Sequence, residues 1–200
     1  MDSQLRDLDR FVLFEQERQS AELACAANPR DVDNLTKWGS ALLNLSAFQK
    51  NPEDMVKEAI SKLEQALEAD PGRHATLFLL GNAYIQQGFF TPNEQVALVC
   101  FEKATQCYEQ AVELEPGNEM YLMSLDTVSK APELRREIQI HMANQQASQE
   151  TTSPVRKKAP KKKKKESDLK YDILGWVILG IGIVAWIGMA KSHPPPPPQR

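Results

Sequence analysis

Histidine, cysteine, tryptophan and glycine are scarce in this 200-residue chain: three, three, three and nine residues respectively. Cys25, Cys100 and Cys107 form no C-x-x-C pair and stand beside no histidine, so neither a zinc ribbon nor a dithiol redox centre is expected. An odd cysteine count also argues against a disulfide framework and for buried thiols in a reducing compartment. Cys100 and Cys107 lie seven apart, on one face of an expected helix. His74, His141 and His193 are scattered, with no nucleophile or metal-ligand spacing around them. Acidic pairs such as Glu113 and Glu115 read as solvated helix faces, and no phosphate-cradling glycine loop occurs. No enzyme, cofactor or resident metal is therefore expected. The opening Met1-Asp2-Ser3-Gln4 carries an acid and no apolar run, unlike a secretory signal or an arginine-rich transit peptide.

What is present is uneven. Residues 1–150 hold 13 basic and 24 acidic residues, a net of −11, and residues 151–200 hold 11 and 3, a net of +8. The overall −3 thus hides an acidic body and a basic tail, which implies different partners for each.

The tail contains the long apolar run that the body lacks. Ile173 to Ala190 carries no charge, and Asp172 and Lys191 close it on either side. Its length suits one bilayer crossing, and the expected transmembrane helix is 171–190, with Trp176 and Trp186 toward the headgroup layers. Gly175 and Gly182 share a face that could admit a neighbouring helix. Arg156, Lys157, Lys158, Lys161 to Lys165 and Lys170 lie upstream, against Lys191 and Arg200 downstream, so the large N-terminal part is expected on the cytosolic side. With ten residues after the span, insertion is expected to be post-translational. Pro194 to Pro198 suit a polyproline stretch on the far side, within a Pro-rich tail of 191–200. The lysine run lacks interleaved aromatics, so it reads as a collar for anionic headgroups rather than a nucleic-acid patch. Residues 146–170 form the expected disordered basic tether.

The body repeats itself. Ala21-x-x-Ala24, Leu63-x-x-Ala66 and Tyr108-x-x-Ala111 are each followed five residues on by a proline: Pro29, Pro71 and Pro116. The last two extend back to Ala59 and Ala104. After the first two prolines the chain restarts with a second signature, Leu35-x-x-Trp38-Gly39-x-x-Leu42 and Leu77-x-x-Leu80-Gly81-x-x-Tyr84. Alanine and glycine allow helices to approach, and proline ends the helix before it. This is the tetratricopeptide pattern. The prolines are 42 and 45 residues apart, longer than the standard repeat of about 34. The excess falls between the paired helices, as lengthened helices or loops, where Gln49–Pro52 and Gly88–Pro92 look turn-like. The expectation is an all-α protein: a cytosolic helical-repeat domain over 1–145, with repeats at about 32–73 and 74–118, flanking helices at 3–27 and 119–145, and one C-terminal transmembrane helix.

Stacked helix pairs present a concave face lined by the first helix of each repeat. The expected peptide-binding residues are Thr36, Ser40, Leu43 and Asn44, then Phe78, Asn82, Ile85 and Gln86. Apolar and amide groups in an acidic surround suit a basic amphipathic peptide.

Longer stretches carry a resemblance. They are Phe14-Glu15-Gln16, Asp31 through Gly39, Gly81-Asn82-Ala83-Tyr84, Ala104-Thr105-Gln106, Lys130-Ala131-Pro132, and Tyr171-Asp172 through Gly175 to Leu179 and Ala185-Trp186-Ile187. With these the chain resembles, nearly end to end, the plant type of Tom20, a subunit of the mitochondrial outer-membrane translocase. The resemblance implies a receptor that binds presequences of cytosolically made precursors and passes them to the import pore. It implies partnership with other translocase subunits, an outer-membrane location with the tail in the intermembrane space, and an anchor (Trp176, Gly182, Trp186) and tail (Lys191, Arg200) that a cytosolic ankyrin-repeat chaperone recognises. Two alternatives remain at this stage. One is a tail-anchored co-chaperone docking acidic heat-shock tails, which would need lysine and asparagine where Thr36, Ser40 and Phe78 stand. The other is a structural subunit organised through its span.

Overall fold

Short polar side chains start several of the helices. Asp31 accepts a hydrogen bond from the Asn34 amide at 3.0 Å, Asn93 from Gln95 and Val96 at 2.9 and 3.2 Å, and Asn118 from Met120 at 3.1 Å. Each satisfies amides that a first helical turn leaves unpaired. The computed structural model describes residues 2–150, with side-chain environments over 5–144. Among the described residues there are seven helices and no strand: α1 Asp2–Ala27, α2 Val32–Ser46, α3 Glu53–Ala69, α4 His74–Phe90, α5 Glu94–Leu114, α6 Glu119–Val128 and α7 Ala131–Glu150. Consecutive helices from α1 through α6 pack on one another, and α2 also reaches α4. Short connections between packed neighbours give an up-and-down stack.

The alanines and glycines of the repeat signature sit at the closest approaches. Ala59, Ala66, Ala104 and Ala111 are fully buried. A Cβ on Gly39 would lie 2.6 Å from Leu63 Cγ, and one on Gly81 would lie 2.4 Å from the Tyr108 ring. Each glycine on a first helix is thus a socket for a large residue on the second. Gly88 makes the same socket for Phe101, at 2.5 Å.

That third socket corrects one expectation. Gly88, Phe89 and Phe90 are the last turn of α4, not a loop, and the connection is only Thr91-Pro92-Asn93. The extra length of the second repeat lies in its helices, of 17 and 21 residues. In the first repeat Gln49–Pro52 do lie in the connection. The trailing segment divides at Ser129-Lys130, and α7 continues through Glu150, so helix occupies the first five residues assigned to the tether.

Arg135 ties α7 to the end of α4. It is 5% exposed, and its guanidinium donates to the carbonyls of Gly88 at 3.0 Å, Thr91 at 2.7 Å and Pro92 at 3.3 Å. A cation at a helix C-terminus satisfies orphan carbonyls and opposes the helix dipole. Nearby, Ala97, Phe101 and Ala131 form a core cluster flanked by Ile85 and Phe89.

Candidate functional site

The face expected to bind peptide lies along α2 and α4, and three polar rungs hold these helices in register. Asp33 pairs with Arg73, the Thr36 and Thr76 hydroxyls meet at 2.8 Å, and Ser46 Oγ donates to Gln86 Oε1 at 3.0 Å. Each rung joins residues 40 apart. The glycine signature repeats at 42, so α4 is shifted by two residues against a simple overlay of the two signatures.

The rungs change the standing of several expected residues. Thr36, at 9% exposed, is consumed by its partner threonine, which is itself fully buried. Leu43 and Phe78 are each 5% exposed and belong to the core. Phe78 stacks on Tyr121 at 4.9 Å and leans on Tyr108 at 5.7 Å. These three are corrected from lining to packing residues: helix α6 and the α2–α4 seam cover the sides that a two-repeat stack would leave open. Ser40, Asn44, Asn82, Ile85 and Gln86 are half-buried. Asn82 accepts from the Tyr108 hydroxyl at 2.6 Å, and Gln86 from Ser46. Ile85 packs against the Phe101 cluster. Of the eight, Thr36 and Gln86 engage the facing helix of the α2–α4 pair, Phe78, Asn82 and Ile85 turn toward α5 or α6, and five of the eight stay partly accessible.

Sequence reasoning passed over Tyr121 and read His74 only as a scattered histidine. The Tyr121 hydroxyl is 2.8 Å from His74 Nδ1, and Glu115 Oε2 is 3.7 Å from the same nitrogen. Burial first, then the Glu115 charge, pushes the Tyr121 hydroxyl up to about 12. The signal was Asn118, a capping residue opening a third first-type helix after Pro116.

On the other side of α4, Leu67 of α3 and Gln106 and Gln110 of α5 border a shallow cleft floored by Leu77, Leu80 and Tyr84. The Tyr84 hydroxyl donates to Glu64 Oε1 at 2.6 Å, and burial followed by that bond raises it above the ordinary tyrosine range. Lys103 stands over the Tyr84 ring at 5.0 Å and Lys62 over Trp38 at 3.9 Å. All three cysteines are buried and free. Burial raises the Cys25 and Cys100 thiols, and lifts Cys107 to about 11.

Among the described residues no His, Cys, Asp or Glu group is placed to hold a metal, and no helix is long and apolar enough to cross a membrane. The expected span at 171–190 with Trp176, Gly182 and Trp186, the tail residues Lys191 and Arg200, and most of the tether lie outside the described residues.

An acidic stack of helix pairs, registered by polar rungs and carrying partly accessible amides on α2 and α4, defines an all-helical repeat scaffold. Comparison with known proteins places that scaffold. A family model described as plant-specific mitochondrial import receptor subunit TOM20 matches residues 8–191. "Mitochondrial import receptor subunit TOM20-3" of Arabidopsis thaliana is 46% identical over 198 residues, covering 97% of this chain and 98% of that protein. TOM20-2 of the same plant is 41% identical over 210 residues, covering both chains fully, and TOM20-4 is 44% identical over 188 residues, covering 94% of each. The chain belongs to the plant-specific TOM20 family of mitochondrial import receptor subunits.

Proposed function

We propose that this chain is a mitochondrial protein import receptor of the outer membrane. It binds the basic amphipathic presequences of cytosolically made precursors and passes them to the translocation pore. The observation that carries the reading is the family match from residue 8 to residue 191, which takes in the helical body and the apolar run together. The physical chemistry agrees with it. A body of net charge −11 attracts arginine-rich peptides, and half-buried apolar, hydroxyl and amide groups at Ser40, Asn44, Asn82, Ile85 and Gln86 offer contacts to an amphipathic helix.

The remaining features follow from the same reading. Residues 1–145 act as a tetratricopeptide-like receptor domain, 171–190 as a single tail anchor, and 191–200 as a short segment in the intermembrane space. Trp176 and Trp186 hold the span at the headgroups, and Gly182 lets a translocase subunit approach it. Lys191 and Arg200 serve recognition by a cytosolic ankyrin-repeat chaperone. The co-chaperone alternative is weaker, because a clamp for acidic tails needs free cations along α2 and α4. Arg73 is engaged by Asp33 there, and Lys37 lies within the field of Glu17 on α1.

The test is fluorescence anisotropy of a labelled presequence peptide with residues 1–150, across a salt series. A scrambled peptide of equal charge serves as control. Tighter binding of the native order, weakening with salt, is expected. Equal binding of both peptides at every salt concentration would leave only a structural role.

A further inference from the structure

Trp38 of α2 is packed between α1 and α3, against a cluster of Cys25, Leu35 and Ala66, and the Lys62 ammonium lies 3.9 Å from its ring centroid. The second repeat builds the same seat. By the spacing of 42 that separates Pro29 from Pro71, Leu67 stands for Cys25 and Leu77 for Leu35. By the spacing of 45 that separates Ala59 from Ala104, Cys107 stands for Lys62. Leu80 stands for Trp38, so the walls recur and the large ring does not. A cleft of about 320 Å³ opens at that place, lined by Leu67, Pro71, Leu77, Leu80 and Cys107.

The volume lies at the lower limit of ligand clefts, roughly 300–1,000 Å³, so one large side chain fills it. Lys103 stands one turn before Cys107 on the same face of α5, 5.0 Å from the ring of Tyr84, which also lines the cleft. The cation that covers the indole in the first repeat is thus kept in the second, displaced by a turn. Gln106 and Gln110 at the rim offer acceptors for a ring N–H, which Trp38 Nε1 lacks in its own seat. Residues 61–70 and 102–113, the two banks of the cleft, each hold three acids and one lysine, and both lysines lie over rings. An acidic partner segment is repelled there, and a basic one meets carboxylates. We propose that this cleft is a docking site for the tryptophan side chain of a protein partner, carried on a basic segment.

A single aromatic anchor in a fitted hollow carries much of the affinity of such a contact, while its charged neighbours set orientation and speed of encounter. The cleft lies on the side of α4 away from the polar rungs that face α2. The site therefore adds to the presequence reading without depending on it, and a partner held here leaves the α2–α4 face free.

The experiment uses the full chain in dodecylmaltoside micelles, with its leucine methyls labelled for NMR. The probe is a short capped peptide, lysine-alanine-tryptophan-alanine-lysine, and its control carries alanine in place of tryptophan. The methyls of Leu67, Leu77 and Leu80 are expected to shift saturably with the probe, through the indole ring current, and to stay in place with the control. Leu80→Trp seats an indole of its own, as Trp38 does, and should weaken the probe at least about tenfold, the loss of a hot-spot contact. Gln106→Phe, on the exposed rim, should cap the cleft with a similar loss while leaving the core untouched. The proposal is overturned if the probe leaves these methyls in place, if the control shifts them as strongly, or if either folded variant binds the probe as tightly as the native chain. It is also overturned if a presequence peptide without tryptophan displaces the probe, which would make the cleft part of the presequence site.

Discussion

Replacing Arg135 by methionine should loosen the C-terminal end of the stack. The apolar stem is kept and the guanidinium is lost. Two good hydrogen bonds disappear, to Gly88 and Thr91, together with a longer one to Pro92. A hydrogen bond to a charged group contributes ~1.5–3 kcal/mol. Desolvating a guanidinium that is only 5% exposed offsets part of that. The expected net loss is about 2–4 kcal/mol, within the large class of single-residue effects. For a domain of this size it lowers Tm by roughly 5–12 °C. Urea unfolding of residues 1–150, followed by circular dichroism, measures it. Arg135→Lys should fall between, because an ammonium carries the charge but cannot span Gly88 and Thr91 as a planar fork does. Hydrogen exchange adds a spatial check: amides of α7 and of the last turn of α4 should lose protection before those of α2 and α3. A loss under about 0.5 kcal/mol for Arg135→Met would refute the reasoning, placing it among ordinary surface changes.

Three further outcomes follow from the geometry. Gly81→Ala should destabilise by about 1–3 kcal/mol through overpacking, although alanine is the better helix former, because the Tyr108 ring is held by Asn82 and Phe78; Gly72→Ala, with only Asp70 Oδ1 at 3.7 Å, should be near neutral by the same melt. The native protein at pH 8 should react slowly with a thiol reagent such as Ellman's, because Cys25, Cys100 and Cys107 are buried and raised, and unfolding in urea should release all three at once; a fast native thiol would contradict the burial. Bonds from Arg18 and then Gln19 hold the Glu15 carboxyl at about 2, so its stabilisation is present above the ordinary carboxylate pKa and fades as pH falls toward 2; the stability gap between the native chain and Glu15→Gln should be under about 1 kcal/mol at pH 7 and close at pH 2, as read from urea midpoints.

The helix pairs were legible because close approach demands small residues at fixed places. Gly39, Gly81 and the buried alanines leave a periodic trace no matter what surrounds them. Gly88 was misread as a turn because it falls outside the repeated glycine signature and stands four residues before Pro92, where a helix end is expected, although it accommodates Phe101 from within α4. The binding face was less legible for a similar reason. Which side of α2 and α4 faces outward depends on the shift between repeats and on Tyr121 of α6, neither of which a two-repeat pattern encodes. Arg135 left no signal, since its partners are main-chain carbonyls 43 to 47 residues away. The cleft beside Leu80 was written in the exchange of Trp38 for Leu80 between repeats, yet only the packed structure shows that the space stays open.

The sockets have a consequence for how such a chain can change through descent. Gly39 with Leu63, Gly81 with Tyr108 and Gly88 with Phe101 each form a hollow and a filler separated by at least a dozen residues of chain. A larger residue at the hollow strands the filler, and a smaller filler opens a void. Neither half can drift alone without loss, so each couple is inherited as one character. A relative carrying alanine or serine at the place of Gly81 should carry a smaller side chain at that of Tyr108, and the two substitutions should enter its lineage together.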